Sequence, residues 1–100
     1  MLKYALYAHL EAKPGKEAEV ERLLAGALPV VQKESETITW YAMKMGPTSY
    51  GIFDTFEHES GREAHLNGEI AAALQKNASE LLASPPKISK VELLCAKLPG

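Results

Sequence analysis

The sequence has few of the features that mark secreted or membrane-bound proteins. It has one cysteine, Cys95, so no disulfide can form within the chain. Its longest apolar stretch, residues 23–31, is interrupted by Gly26 and Pro29 and is shorter than the roughly 18 residues that cross a bilayer. The first residues lack the basic segment followed by an apolar segment that forms a secretory signal. We therefore expect a cytoplasmic protein with no membrane partner.

The chain has no large excess of positive or negative charge, and this argues against nucleic-acid binding. Eleven lysines and arginines stand against 13 aspartates and glutamates, a formal net charge of -2, and the basic residues are scattered. Proteins that follow the phosphates of DNA or RNA need clustered positive charge, so we expect no nucleic-acid partner. The chain fits a single domain over residues 1–100. A domain of this size buries only roughly 60 to 65% of its unfolded surface, so a second subunit would add stability.

Hydrophobic periodicity predicts four strands and two helical regions. Runs with alternating apolar residues, or rich in β-branched and aromatic residues, predict strands at residues 2–12, 38–45, 49–56 and 87–98. A 3.6-residue repeat predicts one helix over residues 16–34. A second helical region starts near Ser60, is broken at Asn67-Gly68 and ends before Pro85. The predicted order is β-α-β-β-α-β.

This order is that of the split βαβ arrangement, an α+β fold of the ferredoxin-like type. In it, a four-stranded antiparallel sheet carries both helices on one face. The first and last predicted strands are apolar on both sides, so the second face of the sheet also needs a cover. The same face of a second copy is the simplest cover. We therefore expect a homodimer in which two sheets meet as a dimeric α+β barrel.

The hairpin between the second and third predicted strands decides which side chains share a face. With a three-residue loop at residues 46–48, Trp40 lies opposite Asp54, and both share a face with Tyr50. A loop one residue longer would place Tyr41 opposite Asp54 instead. The sequence leaves both registers open.

Four segments carry a further signal: Lys13-Pro14-Gly15-Lys16, Glu36-Thr37-Ile38-Thr39-Trp40, Phe53-Asp54-Thr55-Phe56 and Arg62-Glu63-Ala64-His65-Leu66. Their order and spacing, over nearly the whole chain, resemble the antibiotic biosynthesis monooxygenase family of dimeric α+β barrels. The resemblance implies a ferredoxin-like homodimer with a cleft between the sheet and the helices of each subunit. It also implies a cofactor-independent monooxygenase of polycyclic phenols and quinols, or a haem-degrading enzyme.

The sequence argues against the haem-degrading branch and against other cofactors. That branch carries an axial histidine on the outer piece of the second helical region, where this chain has Leu74, and leucine cannot ligate iron. Only His65 or His9 could replace it. The chain has no glycine-rich phosphate loop and no paired histidine or cysteine motif, and Cys95 falls in an apolar strand where it is expected to pack rather than react. We therefore expect no cofactor and no metal.

A monooxygenase of this kind needs a base that deprotonates its phenol. His65, on the broken helix, is either that base, worth roughly 10² to 10⁴ in rate, or a packing histidine that fixes the helix to the sheet. Asp54 has Phe53 and Phe56 close to it in a two-sided strand, so its carboxylate must be paired or hydrogen-bonded. It is the base, the group that orients an imidazole, or a purely structural acceptor.

Aromatic residues are the candidates for shaping the substrate pocket. Trp40 and Tyr50 either stack on an aromatic ligand or pack in the core, and the same holds for Tyr7. His9 is on the opposite side of the first strand from Leu10, so it enters either the cleft or the dimer interface. These four residues are the predicted substrate-binding set.

Two functions stay open at this point. The first is a cofactor-independent monooxygenase of small aromatic phenols or quinols, with His65 and Asp54 as its catalytic residues. The second is a non-catalytic small-molecule-binding or stress-associated barrel of the same fold. The fold alone does not choose between them, because barrels of this shape also include isomerases and decarboxylases.

Overall fold

The computed structural model describes residues 2–100, which form one four-stranded antiparallel sheet and three helices. The elements in chain order are β1 (Tyr4–Glu11), α1 (Glu17–Val31), β2 (Thr37–Lys44), β3 (Ser49–Phe56), α2 (Glu59–Leu66), α3 (Glu69–Leu81) and β4 (Lys87–Glu92). The strands lie in the order β2-β3-β1-β4. This is the predicted ferredoxin-like α+β fold, with α2 and α3 as the two pieces of the broken helical region. Within residues 2–100, no helix combines the length and the hydrophobicity needed to cross a bilayer.

The β2–β3 hairpin has the three-residue loop, so the first of the two registers is correct. The Met45 amide donates to the Ser49 carbonyl at 2.8 Å, and Trp40 pairs with Asp54. On its other side, Asp54 pairs with Leu6 of β1. Trp40, Asp54 and Leu6 therefore form one row across the sheet, with their side chains on the same face.

The helices pack against the face that contains this row. Its core combines strand residues with residues of α1 and α3: Ala8, Leu10, Ala12, Val20, Leu24, Tyr50, Ile52, Leu74, Leu81 and Leu82. Val20 and Leu24 of α1 are one helical turn apart, which is the spacing of an apolar stripe. The apolar stripes of the helices thus cover the sheet face that carries Asp54.

The opposite face, which we call the outer sheet face, is more open to solvent. Strand alternation places Tyr7, His9, Tyr41 and Phe53 on it, and the side chain of Tyr41 is 54% exposed. The Tyr7 hydroxyl contacts the Met45 sulfur at 3.5 Å. An aromatic and methionine-rich surface of this kind is typical of an interaction surface.

The predicted extent of the last strand was wrong. β4 ends at Glu92, which pairs with Tyr4, the first residue of β1. One more amide, that of Leu93, donates to the Lys3 carbonyl at 2.7 Å, and later residues run past the end of the partner strand. Cys95 is therefore exposed rather than packed in a strand.

Candidate functional site

A buried histidine lies between two carboxylates where α2 crosses the sheet. His65 Nε2 lies 3.0 Å from Asp54 Oδ2, and His65 Nδ1 lies 2.7 Å from Glu34 Oε1. His65 is 8% exposed and Asp54 2%. These three residues, which we call the carboxylate–histidine network, join the turn after α1 to α2 and β3. The two predicted catalytic residues are thus in direct contact.

The packing of α2 explains why His65 reaches this position. Gly61, Arg62 and His65 are the buried residues of α2, so they line its inner side at helical spacing. The His65 ring packs against the fully buried Phe56 ring, with centroids 5.6 Å apart. A side chain at Gly61 would meet Glu36 Cβ at 2.9 Å, so glycine lets α2 approach the chain that enters β2.

Glu34 lies in that same turn and is held there by Thr37. The Thr37 hydroxyl donates to Glu34 Oε1 at 2.8 Å, the oxygen that also accepts from His65. The Glu34 side chain is 25% exposed, so it connects the buried pair to solvent.

The network favours the charged form of the imidazole. Burial by itself would lower the pKa of His65, but the hydrogen bonds to Asp54 and Glu34 and their negative charges outweigh burial and raise it above its ordinary value of 6.5. At pH 6.5 the ring is therefore mostly protonated, and both of its nitrogens donate. Such an imidazolium is a strong tether between α2 and its two carboxylate partners. It can act as a base only after it has lost one of its two ring N–H protons.

A small cavity adjoins the Asp54–His65 pair. It measures about 30 Å³ and is otherwise lined by apolar residues: Leu6, Ala8, Ile52, Leu66, Ile70, Ala71, Leu74 and Ile88. That space holds no more than roughly two water molecules. Asp54 Oδ1 is shielded from solvent and has no hydrogen-bond partner among the residues that the structure describes. One oxygen of the carboxylate is thus fixed by His65 while the other is still able to accept a hydrogen bond.

A larger groove lies between α1 and β2, and we call it the α1–β2 groove. It measures about 520 Å³, within the range of small-molecule sites, and its lining is mainly apolar and aromatic: Glu21, Leu24, Ala25, Leu28, Trp40, Tyr41, Ala42, Met43, Lys44 and Tyr50. Its polar part is a network in which the Tyr50 hydroxyl and Lys44 Nζ both donate to Glu21 Oε2, at 2.6 and 2.9 Å. The hydrogen bond to Glu21, with burial, raises the pKa of Tyr50, so its hydroxyl stays a donor.

The predicted substrate-binding residues divide between the two faces of the sheet. Trp40 and Tyr50 line the α1–β2 groove on the helix-facing side, where Tyr50 is almost fully buried. Tyr7 and His9 lie on the outer sheet face, where His9 Nε2 is 3.3 Å from Glu11 Oε1. Within one subunit the structure therefore brings Trp40 and Tyr50 to the side of Asp54, and it separates Tyr7 and His9 from it.

Another groove, of about 340 Å³, lies between α1 and α3. Its lining is apolar apart from Arg22 and Glu69, and it includes none of the predicted site residues. Of these three spaces, the α1–β2 groove and the small cavity are the two that predicted site residues line.

Sequence reasoning missed Glu34 and Arg62. Arg62 is 6% exposed, its Nη1 donates to the Val91 carbonyl at 3.2 Å, and its guanidinium lies 5.1 Å from the centre of the Tyr4 ring. Its position three residues before His65 is a usable signal, because residues i and i+3 share a helix face. Glu34 has no such local signal, since only the approach of α2 brings it to His65.

The two helix residues considered as haem ligands, Leu74 and His65, are not free to bind iron. Leu74 is buried in α3 and lines the small cavity, and both nitrogens of His65 are engaged by carboxylates. The two carboxylates contact opposite sides of the ring and do not converge on one point. Over residues 2–100, no group of three or more His, Cys, Asp or Glu residues is arranged to hold a metal ion.

No protein-family model matches the sequence, and no curated protein is significantly similar to it. Among solved structures, the NE2512 protein of unknown function from Nitrosomonas europaea is 59% identical, covers 100% of this chain with 97% of its own length, and superposes with a TM-score of 0.96.

Two further similar solved structures are of proteins whose names suggest an antibiotic biosynthesis monooxygenase. The one from Nitrosomonas europaea is 13% identical, with 92% of this chain and 90% of that chain covered and a TM-score of 0.81. The one from Caulobacter crescentus is 17% identical, with 93% and 91% covered and a TM-score of 0.79. At these identities the likeness shows the fold, and it confirms the resemblance at that level. The chain therefore belongs to the same family as the NE2512 protein, and it has the antibiotic biosynthesis monooxygenase fold.

Proposed function

We propose that the protein is a cofactor-independent monooxygenase that oxidises small aromatic phenols or quinols with molecular oxygen. The observation that carries the proposal is the buried Asp54–His65 pair. It lies on the same sheet face as Trp40 and Tyr50, which line the α1–β2 groove. In the overall reaction, a phenol and O₂ give a quinone and water. One oxygen atom enters the ring, and the other leaves as water with the ring hydrogen and the hydroxyl hydrogen. The substrate supplies all the electrons, so no cofactor is needed.

The protein's part in this reaction is to remove the hydroxyl proton and to hold the anion away from water. Asp54 Oδ1 is the acceptor, and His65 shares the proton through Oδ2 of the same carboxylate. In this proposal the pair takes up the substrate proton when His65 is neutral, a state that becomes more populated as the pH rises through the raised pKa of His65. Activity is therefore expected to rise with pH through the folded-state pKa of His65, above 6.5.

The proposal includes a homodimer formed through the outer sheet face. Tyr41 is 54% exposed and Met45 46%, and they lie with Phe53 and Tyr7 on a face that two identical copies can cover for one another. His9 would then lie in or beside the interface. Light scattering at micromolar concentration should give twice the chain mass, and Tyr41→Lys should shift it toward the monomer. A monomeric mass for the unmodified protein would contradict the dimer.

A non-catalytic binding protein is the second candidate. It is favoured by the engagement of both His65 nitrogens, which is what a purely structural network requires. It keeps the homodimer, the α1–β2 groove and a small aromatic ligand but no reaction. The cytoplasmic location expected from the sequence also stays a prediction, and cell fractionation would test it.

Oxygen uptake distinguishes the two candidates. The purified chain is mixed with a panel of hydroquinones and polycyclic phenols, without metal, flavin or haem, and compared with heat-denatured protein. The enzyme should consume O₂, place one ¹⁸O atom in the product, and lose about 10² to 10⁴ of its turnover in Asp54→Asn. His58→Gln is the matched control, because His58 is exposed beside α2. Binding of the same compounds without protein-dependent uptake would favour the non-catalytic candidate.

A further inference from the structure

Two buried polar atoms with opposite hydrogen-bonding roles belong to adjacent residues of the sheet. The indole Nε1–H of Trp40 can only donate, and the carboxylate oxygen Oδ1 of Asp54 can only accept. Both atoms are shielded from solvent, and neither has a partner within residues 2–100. Buried polar groups are nearly always hydrogen-bonded, so two complementary exceptions on neighbouring residues call for a common explanation.

The register of the sheet brings the two residues together. Trp40 and Asp54 are directly opposite one another in the β2–β3 pair, and both point to the helix-facing side. The Cβ atoms of such a pair lie roughly 4.5–5.5 Å apart. No hydrogen bond joins the indole to Oδ1. The pair therefore places an unpartnered donor and an unpartnered acceptor on residues that face each other across the two strands.

We propose that Trp40 and Asp54 form a clamp for a single ligand hydroxyl group. The hydroxyl accepts a hydrogen bond from the indole N–H and donates its own to Asp54 Oδ1. A ketone or an ether oxygen can only accept, so it would satisfy the indole and leave the carboxylate without a donor. A carboxylate ligand would in addition be repelled by Asp54. The clamp is thus selective for an alcohol, a phenol or an enol.

The spaces on either side of the clamp indicate which hydroxyl compound fits. The small cavity beside Asp54, at about 30 Å³, is too small for an aromatic ring, whereas the α1–β2 groove beside Trp40 measures about 520 Å³. Trp40 lines the groove and Asp54 lines the small cavity, so the ligand's ring is expected in the groove and its hydroxyl at the clamp between the two spaces. The choice of an aromatic ligand rests on the proposed function, while the selectivity for a hydroxyl rests on the clamp geometry alone.

The chain contains one tryptophan, so a single indole N–H resonance in the NMR spectrum reports on the clamp. We would titrate the full chain with 2-naphthol and with 2-methoxynaphthalene, which differ only in the hydroxyl hydrogen and its methyl replacement. The clamp predicts that 2-naphthol binds at least about tenfold more tightly by calorimetry, since a site built for a hydroxyl discriminates against analogues that cannot complete its hydrogen bonds. It also predicts that 2-naphthol moves the indole proton resonance downfield.

Trp40→Phe keeps an aromatic wall but removes the N–H from which the oxygen of either compound accepts, so it should lower the affinity for both 2-naphthol and 2-methoxynaphthalene. Equal affinities of the unmodified chain for the two compounds would overturn the clamp. An indole N–H resonance that does not shift when 2-naphthol binds would also overturn the clamp. This measurement uses the unmodified chain, so it decides the question even if Trp40→Phe does not fold. The clamp would also be overturned if it held only a bound water. That result would appear as a cross-peak between water and the indole proton that persists at saturating 2-naphthol.

The outcome is separable from that of the proposed function. A preference for the hydroxyl compound without any oxygen uptake would support the clamp and remove the monooxygenase. Oxygen uptake without that preference would support the enzyme and overturn the clamp.

Discussion

Replacing His65 with leucine tests how far the carboxylate–histidine network holds the fold together. The substitution removes the imidazolium and leaves a side chain of similar size, so packing against Phe56 changes little. It leaves the Asp54 carboxylate, 2% exposed, with neither of its oxygens hydrogen-bonded. Burying an unpaired carboxylate is unfavourable because it loses its hydration and gains nothing in return.

The expected loss of stability is large for a chain of this size. Removing one partner of a buried ion pair costs about 3–5 kcal/mol, and Asp54 meets that description. Glu34 adds less, because its side chain is 25% exposed and keeps its hydrogen bond from Thr37. A small domain has a free energy of unfolding of only about 5–15 kcal/mol, so His65→Leu should lose a substantial fraction of it.

Urea denaturation at pH 7, followed by circular dichroism at one fixed protein concentration, measures this loss. Fixing the concentration matters because the stability of an oligomer depends on it. The double variant His65→Leu/Asp54→Leu is the control, since replacing a buried ion pair by apolar residues is often neutral or stabilising. It should recover most of the lost free energy. A loss below about 1 kcal/mol in His65→Leu, or a double variant worse than either single one, would refute the reasoning.

Three further predictions concern the same core. Because the folded-state pKa of His65 lies above 6.5, its stabilisation is fully present below about pH 6.5 and is lost as the pH rises through that pKa; denaturation midpoints between pH 6 and 9 should decline in the unmodified protein and stay flatter in His65→Leu. Gly61→Ala would bring a methyl group to 2.9 Å from Glu36 Cβ, so a loss of about 1–3 kcal/mol is expected by urea denaturation, and an unchanged midpoint would show that α2 can move away. Tyr50→Phe removes the donor to Glu21 and should cost about 0.5–1.5 kcal/mol in the same assay, whereas a stabilised variant would contradict the role given to that hydrogen bond.

The fold could be predicted because its determinants are local. Period-2 and period-3.6 patterns located the strands and helices, and the three-residue loop of the hairpin was one of the two registers that we considered from the sequence. The end of β4 could not be predicted in the same way. Residues 93–98 continue the apolar alternation, but a strand also needs a partner, and β1 begins at Tyr4 opposite Glu92. Where a partner strand ends is tertiary information.

The candidate site was predictable where burial forced a conclusion. Asp54 in an apolar strand had to be paired, and His65 on the broken helix was a partner within reach. Glu34 could not be predicted, because its contact with His65 depends on the close approach of α2 at Gly61. Tyr7 lies on the opposite side of the sheet from Asp54 within one subunit, and its predicted part in the pocket stays a prediction.

The stabilising contact of Asp54 and its proposed chemical role fall on different oxygens of the carboxylate, and this allows the two roles to be separated. Oδ2 of Asp54 is bound to His65, which holds α2 on the sheet, while Oδ1 is the atom proposed to meet the ligand hydroxyl. A substitution at His65 disturbs both, so a loss of activity in that variant alone would not distinguish a base from a tether. Trp40 contacts neither His65 nor Glu34 by any hydrogen bond, and Trp40→Phe removes only the donor that faces the ligand. If the site is catalytic, Trp40→Phe should lower turnover while the denaturation curve keeps the pH dependence set by His65. If the network is only structural, Trp40→Phe and the His65 variant should differ from each other in stability but not in turnover.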